Sequence, residues 1–232
     1  MIGLSYCSLK KKMFNNDLLI NLLAIFLISY KAIELFVEVV VLKHYGRYPV
    51  EYSTIFYFFF PIVILFRGKI LYGSASTGAF ISGLGYLITI IFNISNMLEM
   101  QIAINNLHGF LIGMLSHCIL FYLSILMLAR YKFNYKKEVL ISNLISIVIL
   151  THAEIMANII DFTEYNLFVY MLNNAEILPF FQNKGIVYTG IYFIIAAAVY
   201  NTIVIGFYYL NNYLYNNFQT NEEVLVLKTQ NI

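Results

Sequence analysis

The chain has 232 residues, 61% of them hydrophobic and 11% charged, with a formal net charge of +2 and a mean hydropathy of +0.76. Soluble domains carry about a quarter charged residues, so this composition excludes an ordinary soluble protein and predicts an all-α, polytopic membrane helix bundle. The small net charge, with no dense basic patch, points away from a nucleic-acid partner.

A helix needs about 20 apolar residues to cross a bilayer core. Six stretches qualify, at about 18–42, 50–66, 71–92, 106–129, 139–160 and 186–210. With no internal repeat and no low-complexity linker, they are read as one bundle domain, 1–232. "LSYC", ending at Cys7, looks like a lipoprotein cleavage box, but no apolar run precedes it. No cleaved signal is expected, and the first helix should insert intact. Pro61 should kink the second helix. The third is rich in small residues (Gly73, Ser74, Ser76, Gly78, Gly83 and Gly85), which let helix backbones approach closely. Cys7 and Cys118 are the only cysteines, too few and too distant for a metal pattern or a disulfide framework.

Loop charges set the orientation. With the N-terminus inside, the inner side holds Lys10, Lys11, Lys12, Arg67, Lys69, Arg130, Lys132, Lys136, Lys137 and Lys228. The outer side holds only Lys43, Arg47 and Lys184, beside the acidic loop "DFTEYNLFVYMLNNAEILPF". Both termini are therefore expected in the cytoplasm, with the chain a multi-pass protein of the cell membrane.

Ionisable groups inside a bilayer are costly and mark function by default. Lys31, Glu34 and Glu38 lie at spacings of three and four in the first helix, on one face. They read either as an internal salt bridge that fixes packing or as the polar wall of a substrate or ion cavity. The fourth helix carries His108 and His117, nine residues apart. That spacing puts them about 180° apart around a helix, unable to share a metal. His108 sits near the outer end, at the membrane interface. His117 lies deeper, about 17 Å along the axis from Asn106, in "GMLSHCIL".

At the outer end of the second helix, "RYPVEYSTIFYF" places Ser53 and Thr54 after Glu51. A membrane hydroxyl usually bonds back to a carbonyl one turn earlier. It becomes a nucleophile only with a base in hydrogen-bond reach, and His117 is the leading base, with His108 second. In the fifth helix, "LTHAEIMANII" supplies His152, Glu154 and Asn158. Glu154 and Asn158 share a face and suit interhelical bonding or the orientation of an imidazole. No phosphate loop, dinucleotide fingerprint or G-x-S-x-G elbow is present, and no cofactor or metal is expected.

"RYPVEYSTIFYFFFPIVILFRGKILYGSASTGAFISGLGYLITIIF", "LHGFLIGMLSHCILFYLSILML" and "MANIIDFTEYNLFVYML", taken in order and spacing, resemble the YwaF-type bacterial integral membrane proteins over most of residues 33–172. That family is related to a eukaryotic acyltransferase that builds polyunsaturated ether phospholipids and, more distantly, to androgen-induced multi-pass lipid-ester hydrolases. The first is thought to use Cys and His, the second Thr and His. The resemblance implies a nucleophile at Ser53, with Thr54 beside it, and the histidine at His117. Glu51 stands where relatives often carry His, and serine replaces the family cysteine. The implied function is lipid acyl transfer or lipid-ester hydrolysis, with His117 as base and then acid, and Glu154 or Asn158 orienting its ring. Membrane lipids would be the partners, with homo-oligomer formation left open. The competing readings are a small transporter or lipid-binding bundle built on the Lys31, Glu34 and Glu38 face, and a structural relative without chemistry.

Overall fold

A computed structural model describes residues 2–43, 52–103, 107–159 and 186–218. The described residues are helical throughout apart from short connections, with no strand among them. Seven α-helices follow in order: α1 (Ile2–Lys10), α2 (Asp17–Leu35), α3 (Tyr52–Leu65), α4 (Tyr72–Ala103), α5 (Leu107–Arg130), α6 (Tyr135–Ile159) and α7 (Ile186–Phe218). Three of the described segments are long and apolar enough to cross a membrane: Asp17–Val41, Tyr72–Phe92 and Phe110–Arg130. Tyr52–Leu65 is apolar but shorter.

The elements extend the sequence reading in four places. The short helix α1 was not expected; it packs against α5, where the Tyr122 hydroxyl donates to Ser8 Oγ at 2.8 Å. Asn16 caps α2, its side chain accepting from the Leu19 N–H at 3.0 Å. Helix α2 then widens into a π-helical turn, Phe36–Val41, instead of running on as regular α-helix. Helices α4 and α7 continue well beyond their expected ends at 92 and 210.

Helices α4 and α5 form the most extensive interface, and small residues make it. A Cβ built on Gly83 would lie 2.7 Å from the Phe121 amide nitrogen and 2.8 Å from the His117 carbonyl oxygen. Backbone meets backbone there, and only glycine leaves the room. One turn and a half earlier, the Phe56 ring of α3 occupies the space a side chain at Gly78 would need. Ala75, Ser76, Thr77 and Ala79 are buried along the same stretch. On the α5 side, Leu120, Leu123, Leu126 and Leu128 are fully buried. Each such Leu contributes roughly 1.5–3 kcal/mol where burial is from water. Large apolar side chains such as Ile91, Phe92, Phe36 and Val148 point outward instead, the surface a lipid-facing bundle presents.

Several buried polar side chains find partners across helices. Asn211 of α7 donates to the carbonyls of Leu128 (2.8 Å) and Tyr131 (2.7 Å) and accepts from the Phe133 N–H (3.0 Å). It thereby satisfies carbonyls that the end of α5 leaves without helical partners. At the start of α4, Ser74 Oγ donates to the buried Glu138 carboxylate at 3.0 Å, placing an acid at a helix N-terminus. Asn143 and Asn201 bond across α6 and α7 at 2.9 Å.

The end of α3 is unusual. Gly68 N–H bonds to the Val63 carbonyl and Arg67 N–H to the Ile64 carbonyl, the paired bonds of a Schellman motif. The left-handed position of that motif is normally glycine. Here Arg67 holds it, with φ 55°, and Gly68 comes one residue too late. Left-handed backbone costs a residue with a Cβ roughly 1–2 kcal/mol.

Candidate functional site

Three helices converge on His117. The residue sits 8% exposed on α5, on the turn that Gly83 lets approach α4. Its ring stacks on Tyr86 of α4, with centroids 3.8 Å apart and planes 7° from parallel. Tyr57 of α3, 3% exposed, meets the ring edge-on at 5.2 Å. The Tyr57 hydroxyl lies 2.6 Å from Nδ1 and 2.8 Å from Nε2. Nδ1 also lies 2.8 Å from the Gly113 carbonyl oxygen. A carbonyl can only accept, so Nδ1 is assigned the proton and Nε2 is left to accept from the Tyr57 hydroxyl.

Helix α2 supplies the charges. Lys31 Nζ is 2.6 Å from Glu34 Oε2, an i,i+3 ion pair. The same ammonium sits 4.4 Å from the Tyr57 ring centroid, a cation–π contact. Lys31, Tyr86 and His117 each lie 13 or 14 residues from the same end of the bundle, about 20 Å along their helices. The cluster is thus a layer at one depth.

Pro61 of α3 adds a local break. It has no N–H to give to the carbonyl of Tyr57, one turn earlier. Beyond that turn, Leu35, Ile55, Phe58, Ile62, Val148 and His152 line a groove of about 510 Å³ between α2, α3 and α6. His152 is the polar group in an otherwise apolar lining.

The expected site residues fall into three groups. His117, Lys31 and Glu34 come together. Ser53 and Thr54 lie half-buried on the first turn of α3, and among the described residues no hydrogen bond joins either to His117. The hydroxyl at that distance belongs to Tyr57, four residues after Ser53 and so on the same helix face. Glu38 is half-buried in the π turn, and His152 faces the groove rather than joining the layer. Glu51 lies outside the described residues, as do the side chains of His108, Glu154 and Asn158.

Sequence reasoning missed Tyr57 and Tyr86. Tyr57 stands one turn after Ser53 and Tyr86 one turn after Gly83, but spacing within a helix does not show which neighbouring helix either one meets. No group of three His, Cys, Asp or Glu side chains is placed to hold a metal ion among the described residues. No family model, curated protein or solved structure matches this chain.

Proposed function

We propose that the protein is a membrane-embedded lipid acyltransferase or lipid-ester hydrolase working through a hydroxyl of α3 and His117. The observation that carries this reading is the Tyr57 hydroxyl 2.8 Å from His117 Nε2, a hydroxyl and a base in reach inside the bundle. Tyr57 takes the place expected for Ser53 or Thr54, one turn further along α3. In this reading the chain crosses the cell membrane six times with both termini cytoplasmic. That puts the layer in the outer half of an approximately 30 Å core, about 20 Å from the basic end.

A lipid ester slides in from the bilayer, its acyl chain seated in the groove between α3 and α6. Nε2 takes the Tyr57 proton as the phenolic oxygen attacks the ester carbonyl. Lys31, held by Glu34, supplies positive charge beside the resulting oxyanion. The bond to the alcohol oxygen breaks, and that oxygen leaves with the proton held on the imidazole. Water or a lysolipid hydroxyl then gives its proton to His117 and attacks the acyl carbon, returning the free phenol. Tyr86 holds the ring plane, and the Gly113 carbonyl holds the tautomer.

The test is labelling by a hydroxyl-reactive fluorophosphonate in lipid nanodiscs. Label is expected on wild type, Ser53→Ala and Thr54→Ala, and lost in Tyr57→Phe and His117→Ala. Loss in Ser53→Ala with Tyr57→Phe still labelled would move the nucleophile to Ser53. An intact wild-type protein that never labels would defeat the covalent mechanism.

A second reading is favoured by the ion pair: a non-enzymatic transporter or lipid-binding bundle whose polar layer holds a ligand. It requires Lys31→Met and Glu34→Gln to abolish binding or transport while Tyr57→Phe leaves it intact.

A further inference from the structure

The opposite end of the bundle holds a polar cavity that the acyl-transfer reading does not use. It has a volume of about 210 Å³, and Asp17, Arg67, Lys69, Tyr72, Arg130 and Tyr131 help to line it. That is several times the ~30 Å³ one water takes in the liquid, room for a hydrated phosphate group. Three cations face one acid. Arg130 pairs with Asp17 and lies over the Tyr131 ring at 5.3 Å, so its guanidinium is held in place. Among the described residues, Arg67 and Lys69 form no ion pair.

The backbone gives an independent sign. Arg67 stands in the left-handed position of the Schellman turn where glycine is favoured. Lys12 and Lys43 also have positive φ, but Arg67 is the one that lines this cavity. Strain kept at such a position points to a function for the side chain. Arg67 lines the cavity together with Lys69 and Arg130.

We propose that this cavity binds a phosphate group, carried by an anionic lipid headgroup or free in solution. Arginine grips phosphate through paired N–H donors, and lysine adds a point charge. The cavity lies at the Lys- and Arg-rich end of the bundle, where basic pockets between helices meet anionic headgroups of the cytoplasmic leaflet.

The full-length protein in neutral detergent provides the test, read as the thermal unfolding midpoint at constant ionic strength. The probes are dihexanoyl phosphatidic acid, dihexanoyl phosphatidylcholine and sodium phosphate. The acidic lipid is expected to raise the midpoint with concentration, and the zwitterionic lipid to leave it unchanged. Sodium phosphate acting as strongly as the acidic lipid would support the site and assign it to the free ion. Arg67→Gly should raise the ligand-free midpoint, because the turn regains glycine, while weakening the ligand's apparent affinity about tenfold. Lys69→Ala should weaken it similarly without the gain in stability. The proposal is overturned if neither phosphate probe shifts the wild-type midpoint, or if the shift survives both substitutions unchanged. None of these readouts depends on acyl transfer.

Discussion

The two sides of α3 and α5 are built differently. Toward α4, backbones touch at Gly83, and alanine, serine and threonine fill the seam. Toward α2 and α6, the packing is aromatic and interrupted, with Pro61 in one helix, a π turn in another and a groove of about 510 Å³. His117 belongs to both. Its backbone lies in the tight seam, and its ring stacks on Tyr86 of α4 while its edge meets Tyr57 of α3. The difference teaches that precision and open space are divided between two faces: one fixes the imidazole, the other keeps an apolar groove.

The tight side should break first and hardest. Gly83→Ala puts a methyl group against two backbone atoms of α5 that cannot step aside, so a loss of about 3 kcal/mol is expected, seen as a large fall in the unfolding midpoint. Gly85, two residues on, has nothing within 4 Å of a built Cβ, and Gly85→Ala should leave that midpoint unchanged or raise it. Equal effects at the two sites would dissolve the contrast. Asn211→Leu comes next. It strands the carbonyls of Leu128 and Tyr131 and should cost about 2 kcal/mol, measured by denaturant titration.

The loose side should show the opposite pattern, with a small structural cost and a large functional one. Tyr57→Phe removes one hydrogen bond and should lower stability by about 1 kcal/mol. It should also lower acyl-transfer turnover by at least about 100-fold, measured as product formed per protein in nanodiscs. At the foot of the bundle, Arg67→Gly should give a small gain, about 1 kcal/mol. A scan of the unfolding midpoint without ligand would detect it.

These contrasts also explain what was legible in the sequence. Long apolar runs and the stops between them place α3 and α5 to within a residue or two, because desolvated backbone leaves few options besides helix. The glycines and serines of α4 announced a close seam. His117 stood out because an imidazole in an apolar run has few neutral explanations. Its partner did not stand out. Tyr57 is one of 20 tyrosines, and no spacing rule within α3 reveals that it meets α5. The hydroxyls that did stand out, Ser53 and Thr54, lie one turn away on the same face. The π turn after Leu35 has no sequence mark. Arg67 was hidden by its neighbour, since Gly68 in "FRGK" reads as the natural left-handed residue.

The central claim is that the Tyr57–His117 pair transfers acyl groups. The most direct measurement places the protein in nanodiscs with an isotopically labelled phospholipid and an unlabelled lysolipid, and follows labelled acyl chains by mass spectrometry. The account predicts labelled chains on the lysolipid or as free fatty acid. It also predicts that their formation collapses in Tyr57→Phe and His117→Ala while Ser53→Ala and Thr54→Ala keep it. A folded wild-type protein that moves no label, or label that moves equally in all four variants, would contradict it.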